Sequence, residues 1–74
     1  MKNINRLADV FKEKDVYNRD IANHLNKSEE TISRWVNNHR QPSLNDLDEI
    51  AKYLKVDIRD LLNPSDFSKF QNSA

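Results

Sequence analysis

Apolar residues recur at helical spacing along almost the whole chain. Ile4, Leu7, Ala8 and Phe11 fall at i, i+3, i+4 and i+7. They predict a first helix with Asn3 as its N-cap and an end near Lys14–Asp15, before the β-branched Val16. Ile21, Ala22 and Leu25 predict a second helix from about Asn18 to Asn26, opened by Tyr17 or Asn18. Asp20 lies in its first turn, where the helix dipole favours an acid. A helix of about two turns is not stable alone, so tertiary packing must hold it. Ile32, Trp35 and Val36 are the apolar stripe of a third helix, Glu29 to about Asn37. Its other face carries Glu29, Glu30, Ser33, Arg34 and Asn37. Leu44, Leu47, Ile50, Ala51 and Leu54 form the face of a fourth, with Ser43 as N-cap and Asp46 at the capping-box position. Lys52 and Lys55 suit its C-terminal end. A last short helix buries Ile58, Leu61 and Leu62, with Asp57 as its cap and Pro64 as its stop.

The connections are as informative as the helices. Asn26 fits the left-handed residue that closes the second helix, and Ser28 fits the N-cap of the third. Two helices joined by so short a turn, with a left-handed residue first, are the physical content of a helix-turn-helix. Asn37–Asn38 can close the third helix without glycine. Pro42 pushes Gln41 towards extended angles, so His39–Pro42 reads as a loop.

Composition narrows the function classes. The chain has 74 residues, enough for one domain, expected over residues 1–64, followed by a polar tail, 65–74, that frays unless Phe67 and Phe70 dock. The absence of cysteine excludes disulfides and thiolate metal sites. The absence of glycine argues against tight hairpins and phosphate-cradling loops, and leaves asparagine to take left-handed angles. No apolar run approaches the length of a membrane span, and Met1–Arg6 lacks the apolar stretch of a secretory signal. The expected location is the cytoplasm. Net charge is zero, which counts against nucleic-acid binding. Its distribution is uneven, however. From Tyr17 to Pro42, Arg19, Lys27, Arg34 and Arg40 face Asp20, Glu29 and Glu30, with His24 and His39 added. From Ser43 to Asn63, Asp46, Asp48, Glu49, Asp57 and Asp60 outnumber Lys52, Lys55 and Arg59.

Asn18-Arg19-Asp20-Ile21-Ala22-Asn23-His24-Leu25-Asn26-Lys27-Ser28-Glu29-Glu30-Thr31-Ile32-Ser33-Arg34-Trp35 resembles the helix-turn-helix of the lambda-repressor and Cro-like (Xre-type) family. Asn38-His39-Arg40-Gln41-Pro42-Ser43 resembles that family's loop into helix four, and Ile50 to Leu62 its helix-four to helix-five ending. The likeness covers roughly residues 4–63 and is specific because the pieces occur in the right order and separation. Asn26 and Asn38 stand where the family usually has glycine, Lys27 where it has an apolar residue, and Val36 where an acid is frequent. The resemblance implies an all-α, compact five-helix domain that places its third helix in the major groove of duplex DNA.

Carried over by position, Glu29, Glu30, Ser33 and Arg34 face the bases. Arg34 leads, because arginine pairs bidentately with guanine. Phosphate contacts fall to Asn18, Arg19, Lys27, Thr31, Asn38, Arg40 and the backbone amides that open helix four at Ser43; Thr31 is also placed for a thymine methyl. Glu29 and Glu30 have two readings, which can hold together. They favour the positive end of the helix dipole, worth up to about 1 kcal/mol each, or one accepts a hydrogen bond from cytosine. An acid on this face also penalises non-specific binding. Arg34 and Arg40 have solvated-surface alternatives.

Trp35, by its spacing from Ile32, belongs to the core rather than to base stacking. His24 and His39 show no third ligand, and no nucleophile, base and orienting group form an arrangement, so no metal, cofactor, small-molecule effector or catalysis is expected. One recognition helix reads few base pairs, so a homodimer on paired half-sites is expected. Ile58, Leu61, Leu62 and Phe67 are its candidate surface, against the alternative that Ile58 and Leu61 simply complete the monomer core. The leading function is a small prokaryotic or phage transcriptional regulator, a repressor or autoregulator. The competing one is an antitoxin-like protein-interaction module that keeps the shape with little DNA binding.

Overall fold

The computed structural model describes residues 3–65. Four α-helices follow one another: α1 (Leu7–Glu13), α2 (Asn18–Leu25), α3 (Glu29–Val36) and α4 (Leu44–Leu54). A 3-10 turn, Ile58–Leu61, ends the order. Their apolar stripes meet in one core that contains Leu7, Phe11, Ile21, Ile32, Trp35, Ile50 and Leu61. The α2–α3 pair makes the most extensive contact between elements, so the short α2 is held by its neighbours.

The first helix departs from the expected stripe. It starts at Leu7, and its buried face is Leu7, Val10 and Phe11, whereas Ile4 and Ala8 are exposed. Asn3 is not its cap. Asn5 instead pairs antiparallel with Leu62 in a single bridge, which places the segment before α1 beside the residues that follow the 3-10 turn. The Arg6 N–H donates to the Leu61 carbonyl at 2.9 Å and the Asn63 N–H to the Ile4 carbonyl at 2.9 Å. The same pairing explains why the expected fifth α-helix is only a 3-10 turn. Asp57 caps it through the Arg59 N–H at 2.8 Å, but Leu62 must already be extended to meet Asn5. Leu44 also departs from expectation. It falls on the apolar side of α4 but precedes the first core contact, Leu47, by a turn, and remains 76% exposed. Among the dimer candidates, Leu61 is fully buried within the monomer, and Ile58 and Leu62 are half-buried against the core. Leu61 is therefore removed from any dimer surface, and Phe67, like Phe70, lies outside the described residues.

All four α-helices close in the same way despite the lack of glycine. Asp15, Asn26, Asn38 and Lys55 take left-handed angles, with φ of 56°, 58°, 59° and 60°. The N–H of each following residue reaches back to the carbonyl five residues earlier: Val16 to Phe11, Lys27 to Ala22, His39 to Arg34 and Val56 to Ala51. The left-handed residue itself donates to the carbonyl three before it. This is the Schellman closure, which satisfies the orphan carbonyls of the last turn.

A buried asparagine clasp ties the ends of the domain to the end of α3. Asn5 and Asn38 are 2% and 7% exposed. The Asn38 side-chain oxygen accepts the backbone N–H groups of Ile4 and Asn5, both at 3.0 Å, and its amide donates to the Asn5 carbonyl at 3.1 Å. The Asn5 amide donates to the Trp35 carbonyl and to Gln41 Oε1, each at 2.8 Å, and its oxygen accepts the Leu7 N–H that opens α1. No buried side-chain polar atom among the described residues lacks a partner.

Two stability outcomes follow. Asn38→Gly keeps the left-handed backbone but strands the Ile4 and Asn5 amides. A loss of about 1–3 kcal/mol is expected, read in a denaturant titration. Lys55→Gly relieves a left-handed strain of about 1–2 kcal/mol against a glycine entropy cost of about 0.5–1 kcal/mol. Thermal unfolding should move upward for Lys55→Gly and move less for Asn26→Gly, since asparagine tolerates these angles.

Candidate nucleic-acid interface

The turn between α2 and α3 is built locally. Asn26 reverses the chain, and Ser28 caps α3 by accepting the Thr31 N–H at 3.1 Å. The Ser28 and Thr31 hydroxyls also bond each other at 2.9 Å, so the half-buried Thr31 hydroxyl already has a partner. Asp20 fixes the start of α2, where its carboxylate accepts the Tyr17 N–H at 2.9 Å. Ser43 fixes the start of α4 by accepting the Asp46 N–H at 3.1 Å.

Ile32 and Trp35 anchor α3 in the core, at 0% and 6% exposure, which leaves the opposite face outward. Glu30 and Arg34 lie one helical turn apart on it, and Arg34 Nη2 donates to Glu30 Oε1 at 2.6 Å. Ser33 is half-buried and accepts from the Asn37 amide at 3.4 Å. Glu29 stands apart from its neighbour. It lines an open groove of about 480 Å³ with Val16, Tyr17, Asn18 and Arg19 at the start of α2. The structure thus separates two glutamates that sequence treats as a pair.

The two turns that flank α3 share a feature with a charge consequence. After the left-handed residues of α1 and α4 come Val16 and Val56, half-buried and packed on the core. A hydrophobic contact at this position commonly accompanies the closure. After those of α2 and α3 come Lys27 and His39, both exposed. Arg40 is also exposed, and its backbone N–H donates to the Arg34 carbonyl at 3.3 Å, which fixes this loop to the end of α3.

Ion pairing divides the cations further. Arg6, Arg34, Lys52 and Arg59 each lie within 4.0 Å of a carboxylate. The Arg59 side chain hydrogen-bonds Asp57 and holds its carboxyl below the usual carboxylate range, and the bond to Asp48 raises the Lys52 ammonium. Among the described residues, Lys12, Lys14, Arg19, Lys27, Arg40 and Lys55 have no such partner. Of these, Arg19, Lys27 and Arg40 flank α3 in sequence, on α2, on the turn and on the following loop.

One expected phosphate contact is corrected. Asn38 does not offer its side chain outward, because both polar atoms are committed to the clasp with Ile4 and Asn5. Tyr17 was not singled out from sequence as a site residue. It is 63% exposed, lines the groove beside Asn18, and lies 5.7 Å below the Arg19 guanidinium. An exposed aromatic two residues from an arginine at a helix start was its available signal. His24 packs against Tyr53 with ring centroids 4.6 Å apart and the planes tilted by 40°, and among the described residues no group of three or more His, Cys, Asp or Glu side chains could hold a metal. No helix among them is long and apolar enough to cross a membrane.

Comparison with known proteins agrees with this architecture. The helix-turn-helix family profile matches residues 7–61. A candidate DNA-binding protein from Bacteroides fragilis superposes with a TM-score of 0.80 at 48% identity, covering 81% of this chain and 97% of that one. A transcriptional regulator from Listeria innocua superposes with a TM-score of 0.67 at 23% identity, covering 95% of this chain and 74% of that one, a likeness of fold alone. No curated protein matches the sequence. With its left-handed asparagine turn, its serine-capped third helix and a profile match across all four helices, the chain belongs to the lambda-repressor-like (Xre-type) helix-turn-helix family.

Proposed function

We propose that this protein binds duplex DNA sequence-specifically as a small prokaryotic or phage transcriptional regulator, a repressor or autoregulator that lays α3 in the major groove. The observation that carries the reading is the outward face of α3, which bears Arg34, flanked in sequence by the unpaired cations Arg19, Lys27 and Arg40. The description of the Bacteroides fragilis relative as a candidate DNA-binding protein supports the same reading. A major groove about 12 Å wide admits one helix, and arginine reads guanine through O6 and N7.

In this arrangement Arg34, Glu30 and Ser33 meet base edges. Glu29 sits at the boundary with the backbone-facing groove. Arg19, Lys27, Arg40, Asn18, Thr31 and the amides at Ser43 position the duplex through phosphates. Two copies on half-sites about 10 base pairs apart supply the specificity that one helix lacks. Ile58 and Leu62 are the remaining apolar candidates for that contact.

The rival reading, a protein-interaction module, is favoured by the zero net charge and by the carboxylate already bonded to Arg34. Salt decides between them. Phosphate contacts release counterions, so log K against log salt falls with a slope of about −0.9 for each phosphate neutralised. Binding to random duplex at low salt should be measurable and should fall with roughly three such contacts per protomer. Absence of binding at low salt leaves the interaction module. Within the DNA reading, Arg40→Ala should weaken all sequences alike and flatten the slope by about 1. Arg34→Ala should cost about 1–3 kcal/mol on the preferred site and relax a single base position. A selection from random duplexes with each variant measures both.

A further inference from the structure

The pairing on the outward face of α3 assigns different jobs to its two glutamates. Glu30 Oε1 accepts from Arg34 Nη2 at 2.6 Å, a short charge-assisted bond between side chains that are 73% and 52% exposed. An exposed i,i+4 pair adds little to stability. Its electrostatic effect is larger in consequence. Arg34 is the one arginine among Arg19, Arg34 and Arg40 whose charge is matched by a carboxylate.

We propose that Glu30 is a specificity-determining, positioning residue. It holds the Arg34 guanidinium over the base edges and cancels its attraction to phosphates. This rests on the DNA-binding reading given above. Guanidinium has five N–H donors in a fixed fork. One bond to Glu30 leaves enough of them to meet O6 and N7 of a guanine while the pair persists. A phosphate that draws Arg34 away leaves the Glu30 carboxylate unpaired beside the DNA backbone, where it is repelled. Guanine in register is therefore accepted, and the featureless part of the duplex is not. Arg19, Lys27 and Arg40 have no such partner and respond to every phosphate alike. Glu29 is the internal control. It carries the same charge at the same helix end but lines the α2 groove with Arg19 and Tyr17 instead of bonding Arg34.

The test is a double-mutant comparison of duplex binding from 50 to 200 mM salt, on the selected site and on random duplex. Glu30→Gln frees one cation. Its random-duplex slope should steepen by about 0.9, so the affinity it gains at 50 mM shrinks about threefold by 200 mM. The ratio of selected to random affinity should fall. In the Arg34→Ala background the steepening should shrink to that of Glu29→Gln, the effect of removing an acid alone. Glu29→Gln should give the same change whether residue 34 is arginine or alanine. If Glu30→Gln steepens the slope equally in both backgrounds, Glu30 is only a negative charge near DNA and this proposal is overturned while the DNA reading stands. If the wild-type protein shows no salt-dependent duplex binding, both fall together.

Discussion

The Asn5–Asn38 clasp is the interaction on which the rest of the arrangement depends. It joins residues 33 apart in the chain and meets the two requirements of its place at once. Asn38 takes the left-handed angles that close α3, and its side chain accepts two backbone N–H groups from the N-terminal segment. Asn5 returns the connection by donating to the Trp35 carbonyl at the end of α3 and to Gln41 in the next loop. Buried polar groups are tolerated only when bonded, and here each bond constrains a different piece of chain. The end of α3, the departure of the His39–Pro42 loop and the start of α1 are set by the same few atoms. The pairing of residues 4–6 with 61–63 then seals the domain from its other end.

Helix closure links this framework to charge. A chain without glycine still places a left-handed residue after every α-helix, and the residue that follows has a fixed backbone bond in each case. That bond frees the side chain's identity to vary with location. Valine occupies the position where the turn packs on the core, at Val16 and Val56. Lys27 and His39 occupy it in the turns that flank α3. One backbone device thereby serves packing in two places and surface chemistry in the other two.

Zero net charge is a poor guide to such a surface. Arg59 and Lys52 are matched by Asp57 and Asp48, so the positive charge of these two side chains is cancelled locally, in α4 and the turn that follows. Arg19, Lys27 and Arg40, which flank α3 in sequence, have no such carboxylate. Contacts on the scale of a single ion pair decide which cations are available, and those contacts are invisible to a count of residues.

The sequence by itself determined what is encoded over three or four neighbouring positions. Ser28, Ser43 and Asp57 were legible as caps because a short side chain reaches an amide two or three residues ahead. Asn26 was legible as a turn, and Ile32 with Trp35 as the anchored side of α3, because left-handed tolerance and helical period are local properties. The family likeness was legible from the order of these signals. Tertiary structure alone decided the rest. Ile4 and Ala8 matched a helical stripe, yet the bridge to Leu62 held Asn5 extended and delayed α1 to Leu7. Leu61 read equally as dimer surface or core until it was found fully buried. Glu29 and Glu30 were interchangeable until one was bonded to Arg34 and the other faced the α2 groove. Asn38 carried the signature of an exposed polar residue, because asparagine has no pattern that marks it as buried. Its role depends on a partner far away in the chain, and only the folded backbone brings the two together.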